Sequence, residues 1–170
     1  MQVVKAMKMD EERLKTCCFT GHRPVKLMAA EKDIRQWLGK QIDKAVSDGY
    51  QNFITGCAMG VDIWAGEIVL QKQRENPAVR LIAANPWPEM AKRWSPDWQK
   101  KHMDLLSRAD EVVTICDHYH KCVYKQRNIW MADHSNRLIA YYNGSPGGTR
   151  NTILYAKKCG LEVVQYGIDP

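Results

Sequence analysis

Two glycine-containing turns have the composition of anion-binding loops. Residues 56–62 and 146–149 each lead from an apolar segment into a segment with helical spacing, and they contain Gly56, Gly60, Gly147 and Gly148. Such a turn points backbone N–H groups at one spot, and the helix dipole adds positive potential there. Phosphate is the usual occupant, although a plain tight turn is the alternative for both. Neither a Walker loop nor the three-glycine dinucleotide fingerprint is present at 56–62.

Charged and hydroxyl side chains follow the same apolar segments. Arg23 and Arg127 could bind phosphate or carboxylate through two N–H groups at once. Thr149 could cap its helix or bond a phosphate oxygen. His22 could donate a hydrogen bond to an oxyanion or transfer a proton, or it could be a structural imidazole that connects two loops. Asp62 could bind a ribose hydroxyl, take part in acid–base chemistry, or stabilise its own helix start, so His22 and Asp62 are the catalytic candidates.

Trp87 lies between two prolines just after an apolar segment, where its indole could stack on a base. Cys116, His118, His120 and Cys122 are metal-ligand residue types, but we interpret them as ordinary loop residues and expect no metal site. Of the six cysteines, Cys17, Cys18 and Cys57 lie in or at the ends of apolar runs, which suits buried free thiols better than a disulfide scaffold and indicates a reducing, cytoplasmic setting.

The elements that must position these residues alternate along the chain. Short apolar runs predict six strands, at residues 16–20, 51–55, 79–83, 111–116, 137–142 and 162–166. Helical spacing predicts helices before Gly49, before Pro77, after Ser95, and over residues 127–136 and 149–159. This alternation predicts an α/β domain with a mostly parallel sheet and helices on both faces.

The candidate residues all follow strands at one end of this predicted sheet, whereas the opposite connections look like plain turns. Parallel sheets bind ligands at the carboxyl ends of their strands. The asymmetry therefore favours a binding site at that end.

Length and charge narrow the choice of partner. The chain has 170 residues, enough for a single domain over 1–170, with an irregular leader expected at 1–15. A net charge of +6 and a pI near 9.0 suit a phosphate-bearing partner, although this excess alone does not establish nucleic-acid binding. No apolar run is long enough to cross a bilayer, and residues 1–15 lack the apolar middle of a signal peptide.

Four stretches together resemble the YpsA-like branch of the SLOG superfamily. They are residues 20–24 (Thr-Gly-His-Arg-Pro), 55–62 (Thr-Gly-Cys-Ala-Met-Gly-Val-Asp), 126–135, which begins Gln-Arg-Asn, and 147–152 (Gly-Gly-Thr-Arg-Asn-Thr). The superfamily includes DprA/Smf and the LOG phosphoribohydrolases. The resemblance implies a Rossmann-like fold that binds a nucleotide or nucleotide-derived ligand, with no further cofactor required, and it is compatible with a homodimer. It assigns these residues to the pocket: Gly21, Arg23, Gly56, Gly60, Asp62, Arg127, Asn128, Gly147, Gly148 and Thr149.

One departure from the LOG pattern bears on catalysis. LOG enzymes carry a Pro-Gly-Gly-x-Gly-Thr-x-x-Glu motif with a catalytic Glu, whereas residues 146–152 are one residue shorter and lack that Glu. We therefore expect a non-catalytic nucleotide-binding or sensor protein. N-glycoside hydrolysis of a nucleoside phosphate and single-stranded DNA binding are the alternatives.

Overall fold

Six parallel strands form the central sheet of the protein. The computed structural model describes residues 10–167. Within them the strands lie in the order β4-β3-β2-β1-β5-β6, and every neighbouring pair is parallel. The strands are β1 (Thr16–Gly21), β2 (Asn52–Thr55), β3 (Arg80–Asn85), β4 (Glu111–Thr114), β5 (Arg137–Tyr141) and β6 (Glu162–Tyr166).

In the described part of the chain, five helices of eleven or more residues cover the two faces of the sheet. They are α1 (Glu31–Ser47), α2 (Val61–Glu75), α3 (Pro96–Arg108), α4 (Val123–Asp133) and α5 (Gly148–Lys158). The first three pack on one face, and α4 and α5 pack against each other on the other. The result is a three-layer α/β, Rossmann-like domain, and the predicted fold class is confirmed.

Strand β1 shows why the strands are apolar throughout. Cys17 and Phe19 point into the core beneath α1 and α2, whereas Cys18 points into the core beneath α4 and α5. Because side chains alternate between the two faces of a strand, a sheet covered on both sides buries every position. The sequence therefore shows a continuous apolar run instead of alternation.

The strand order reverses direction between β1 and β5. Strands β2, β3 and β4 lie on one side of β1, and β5 and β6 lie on the other. The connections that leave β1 and β5 therefore diverge to opposite faces at the carboxyl edge. Such a switch point leaves a crevice, which is where open α/β sheets bind ligands.

Several predicted boundaries need correction. Strand β4 ends at Thr114, not at 116, and α4 runs from Val123 to Asp133 instead of over 127–136. Of the expected irregular leader, residues 10–14 are helical, and residues 1–9 lie outside the described part of the chain. No helix within residues 10–167 has both the length and the apolar character needed to cross a bilayer.

Candidate functional site

A cavity of about 250 Å³ opens at the switch point, and we call it the switch-point cavity. Eight of the twelve predicted ligand-binding residues line it: Gly21, His22, Arg23, Asp62, Arg127, Asn128, Gly148 and Thr149. The remaining wall comes from Thr20, Val25, Lys26, Ala58 and Tyr124. These residues come from the end of β1 and from the connections and helix starts that follow β1, β2, β4 and β5, so parallel strand direction brings distant parts of the chain to one place.

The turn before α2 needs glycine for two separate reasons. Gly60 precedes the helix with φ +91°, a left-handed conformation that glycine adopts without strain. A Cβ on Gly60 would also lie 2.9 Å from the His22 carbonyl oxygen, so this turn packs directly on the connection after β1. Val61, the first residue of α2, leaves no room for a side chain at Gly21. The first turn of α2 therefore packs closely against the connection after β1, and this packing places it at the edge of the switch-point cavity.

The turn before α5 lies beside the connection after β1. Gly147 precedes the helix with φ +140°, and a Cβ there would lie 3.9 Å from Lys26 Nζ. Asn143 Nδ2 donates a 2.6 Å hydrogen bond to the Lys26 carbonyl oxygen. Gly147, not Thr149, occupies the capping position, and Thr149 is buried in the first turn of α5. The first turns of α2 and α5 therefore both border the cavity with the positive ends of their dipoles.

Arg127 connects α4 to the turn before α2. Its Nη1 donates to the Gly56 carbonyl oxygen and lies 3.9 Å from Asp62 Oδ2, while its Nε donates to Asn128 Oδ1 at 2.7 Å. The side chains of Arg127 and Asp62 are both 7% exposed. A guanidinium has five N–H donors, and the contacts just given, all within residues 10–167, involve Nε and Nη1 and not Nη2. Arg127 therefore both holds the site together and contributes charge to it.

Asp62 is a buried carboxyl group on the cavity wall. Burial raises its pKa to about 6, against the opposing effects of the Arg127 charge, the Ala58 backbone N–H and the Arg23 charge. Ala58 N lies 3.4 Å from Asp62 Oδ2, and the Asp62 carbonyl oxygen accepts a 2.7 Å hydrogen bond from Thr55 Oγ1. Because removal from water disfavours the charged form, burial favours the protonated form of the Asp62 carboxyl group.

His22 is a buried imidazole that the structure leaves partly unpaired. It is 5% exposed, its ring stacks on Tyr142 with centroids 5.6 Å apart, and its Nε2 has no hydrogen-bond partner among residues 10–167. Burial, and then the positive charge of Lys26, lowers its pKa below the usual range, so His22 is neutral at pH 7. A buried polar atom without a partner carries a desolvation cost that a ligand would remove.

The four remaining predicted residues do not line the switch-point cavity. Gly56, Gly60 and Gly147 shape the turns behind it. Trp87 lines a larger neighbouring cavity together with Arg23 and Tyr124. Sequence reasoning missed Lys26 and Tyr124, although each lies two residues outside a recognised stretch, 20–24 or 126–135.

The cysteine and histidine residues after β4 do not assemble into a metal site. Cys116 Sγ contacts Gln126 Oε1 at 3.0 Å, and His120 Nδ1 accepts a 3.3 Å hydrogen bond from the Cys122 backbone N–H. Across residues 10–167, no three His, Cys, Asp or Glu side chains converge in a way that could hold a metal ion. Cys57 is fully buried, and burial raises the pKa of its thiol to about 12.

Comparison with known proteins identifies the family. The YpsA family model, described as the YspA SLOG family, matches residues 17–168. The chain belongs to this SLOG family. Two bacterial relatives of the SLOG chain support the match. The uncharacterized SPbeta prophage-derived protein YoqJ of Bacillus subtilis is 34% identical over 121 residues, which are 64% of this chain and 71% of YoqJ. A UPF0398 protein of Bacillus cereus is 28% identical over 162 residues, covering 90% of this chain and 88% of the relative.

Solved structures of other proteins share the fold of this SLOG chain. DNA processing protein A (DprA) from Streptococcus pneumoniae superposes with a TM-score of 0.67 at 19% identity over 94% of the chain, which spans about half (53%) of that DprA. DprA from Helicobacter pylori, described for its single-stranded DNA binding mode, superposes with a TM-score of 0.63 at 15% identity. The match covers 95% of this chain and 69% of that DprA. The Moco carrier protein of Chlamydomonas rheinhardtii gives 0.51 at 19% identity, with 90% and 76% covered.

Proposed function

We propose that this SLOG chain binds a nucleotide or nucleotide-derived phosphorylated small molecule in the switch-point cavity. The observation that carries the proposal is the convergence of two helix N-termini with Arg23, Lys26 and Arg127 on one cavity. Helix N-termini and guanidinium groups both favour an anion, and phosphate satisfies several N–H donors at once. Asp62 on the same wall is a natural acceptor for a ribose hydroxyl.

His22 supports the proposal independently of charge. Its unpaired Nε2 belongs to a buried side chain on the cavity wall, so a ligand group in the cavity would give it a partner. Because the imidazole is neutral at pH 7, one ring nitrogen donates and the other accepts. The site therefore combines a neutral polar group with the positive charges of Arg23, Lys26 and Arg127. This combination suits a ligand that carries both hydroxyl and phosphate groups.

Calorimetry and thermal-shift measurements against nucleoside phosphates and ADP-ribose test the proposal. We expect binding by the native chain and a Kd weakened roughly ten- to a hundredfold in the double variant Arg23→Gln, Lys26→Gln, since charged hydrogen bonds are lost. Both side chains are exposed, so the variant should fold. Arg74→Gln is the matched control, because Arg74 lies at the far end of α2, about 20 Å from its first turn. Absence of binding by any phosphorylated compound would overturn the proposal.

One observation favours a second candidate, hydrolysis of the N-glycosidic bond of a nucleoside phosphate. Asp62, with a pKa of about 6 in the cavity, is partly protonated near neutral pH and is suited to proton transfer. The absence of the LOG Glu argues against the LOG mechanism. Incubation with nucleoside monophosphates should release free base if this candidate holds. Release that persists in Asp62→Asn would remove Asp62 from the reaction.

The shared fold with DprA makes single-stranded DNA the third candidate ligand. A polyanion bound through lysine and arginine loses affinity steeply as salt rises. Titration with an oligothymidylate at two salt concentrations tests this candidate. A small molecule bound in the switch-point cavity should compete with the DNA only if both ligands contact the same cavity residues.

A further inference from the structure

A second cavity of about 770 Å³ adjoins the switch-point cavity at the carboxyl edge of the sheet. Arg23 and Tyr124 line both cavities, so the two share a wall. We call the larger one the aromatic chamber, because its walls are dominated by ring and thioether side chains: Met59, Trp87, Met90, Trp94, Tyr119 and Tyr124.

The chamber walls come from the same kind of connection as the switch-point cavity. Met59 follows β2, Trp87 follows β3, and Tyr119 follows β4. Trp87 also packs against the core beneath α1 and α2, which fixes the indole in place. Because all these connections leave carboxyl ends of parallel strands, the chamber continues the switch-point cavity along the same edge instead of forming a separate site.

The chemistry of the chamber suits a flat heteroaromatic ring. The Trp87 and Tyr119 rings lie 5.6 Å apart at 59°. Trp87 is half-buried and Tyr119 is 58% exposed, so the Tyr119 ring is open to a ligand beside the Trp87 indole. Nucleobases stack on such rings, and cations nearby strengthen the contact. Lys92 and Arg93 supply positive charge, and Glu89, the acidic residue in the lining, pairs with Lys92 at 3.1 Å.

We propose that the aromatic chamber binds the base of the ligand whose phosphate occupies the switch-point cavity, with Trp87 and Tyr119 as the stacking residues. This inference rests on the proposed function and adds a substrate class: base-bearing nucleotides in preference to base-free sugar phosphates. Small-molecule sites commonly enclose about 300–1,000 Å³. The switch-point cavity, at about 250 Å³, falls below this range, so a whole nucleotide whose phosphate lies there would extend into the adjoining chamber.

Calorimetry with AMP, GMP, CMP, UMP and ADP-ribose, compared with ribose 5-phosphate, tests the division of the site. At least one base-bearing compound should bind the native chain roughly ten- to a hundredfold more tightly than ribose 5-phosphate, the range expected for one stacked base. Trp87→Leu and Tyr119→Ala should remove most of this advantage and leave the Kd for ribose 5-phosphate unchanged. Tyr119→Ala alters an exposed side chain, so it keeps the test valid if Trp87→Leu fails to fold.

Trp98→Leu is the matched control. Trp98 packs on Trp64 with ring centroids 6.3 Å apart and does not line the chamber, so its loss should leave the preference for base-bearing compounds intact. Equal affinity of the native chain for ribose 5-phosphate and for all the nucleotides would overturn the chamber proposal while the proposed function stands. Absence of binding by every compound would overturn both.

Discussion

Arg127 donates from α4 to the carbonyl oxygen of Gly56, a residue 71 positions earlier in the chain. The bond ties a helix on one face of the sheet to the turn that starts α2 on the other face. Because the Arg127 guanidinium is buried and also pairs with Asp62, the contact fixes the wall of the switch-point cavity. The geometry of the candidate site therefore depends on the packing around Gly56.

Gly56→Ala tests this dependence. A Cβ at this position would overlap Arg127 Nη1 and lie 2.6 Å from Asp62 Oδ2. The guanidinium cannot withdraw without breaking its bond to the turn, so we expect the free energy of unfolding to fall by about 1–3 kcal/mol, as for other overpacked sites. Urea denaturation followed by tryptophan fluorescence measures the change. Gly39→Ala is the control, because nothing lies within 4 Å of a Cβ in the middle of α1 and helix propensity favours alanine by up to ~1 kcal/mol.

The positive charge of Lys26 should have a measurable effect on the pKa of His22. Burial is the larger cause of the lowered His22 pKa, and Lys26 is the second. Lys26→Gln should therefore raise the pKa of His22 part of the way towards the usual value of about 6.5. An NMR titration of the histidine ring protons, assigned with His22→Gln, records the shift. Lys40→Gln, on α1, should leave the His22 pKa where it is, and an equal rise in both variants would contradict the assigned cause.

The positions of the candidate site residues could be predicted from the sequence better than the contacts between their side chains. The strands were recognisable because burial on both faces makes each one apolar, and parallel strands necessarily bring their following connections to one edge. The positions of Gly21 at the end of β1, of Arg23 just after it and of Gly148 after β5 therefore suffice to predict that these residues lie near one another. The predicted start of α4 at residue 127 lies four residues after the observed start at Val123, because Cys122 offers no capping side chain as a start signal.

The contacts that shape the site are long-range and leave no local pattern. Arg127 was predicted as a ligand-binding residue, and its structural bond to Gly56 became visible only in the fold. The aromatic chamber likewise combines Met59, Trp87 and Tyr119 from three separate connections. Each of them alone is typical of core or surface packing, so periodicity does not distinguish a wall residue from an ordinary one.

Thiol reactivity should follow burial. Cys17, Cys18 and Cys57 are fully buried, and burial raises the pKa of the Cys18 and Cys57 thiols to about 12, so thiolate is scarce at neutral pH. Mass spectrometry after brief alkylation of the native protein should find label first on Cys159, which is exposed, and then on the two half-buried cysteines after β4. In concentrated guanidinium chloride all six should react. Native-state label on Cys57 would contradict the packing of the turn before α2.

Asp62 should make stability depend on pH in the direction opposite to an ordinary paired carboxylate. Its pKa is raised from about 3.8 to about 6, so between these values the folded chain keeps a proton that the unfolded chain has lost. The free energy of unfolding therefore falls as pH rises through this window, by an amount on the order of 3 kcal/mol, and levels off above it. Urea denaturation of the native chain and of Asp62→Asn across this range isolates the effect, since the variant cannot titrate there.

The control for this prediction is Asp104→Asn, which removes an exposed carboxylate paired with Arg108 and should leave the pH dependence of stability in place. The free energies of unfolding of the native chain and of Asp62→Asn are compared from pH 4 to pH 6. If the two change in parallel, the Asp62 carboxyl group titrates as it does in water and is unsuited to proton transfer near neutral pH.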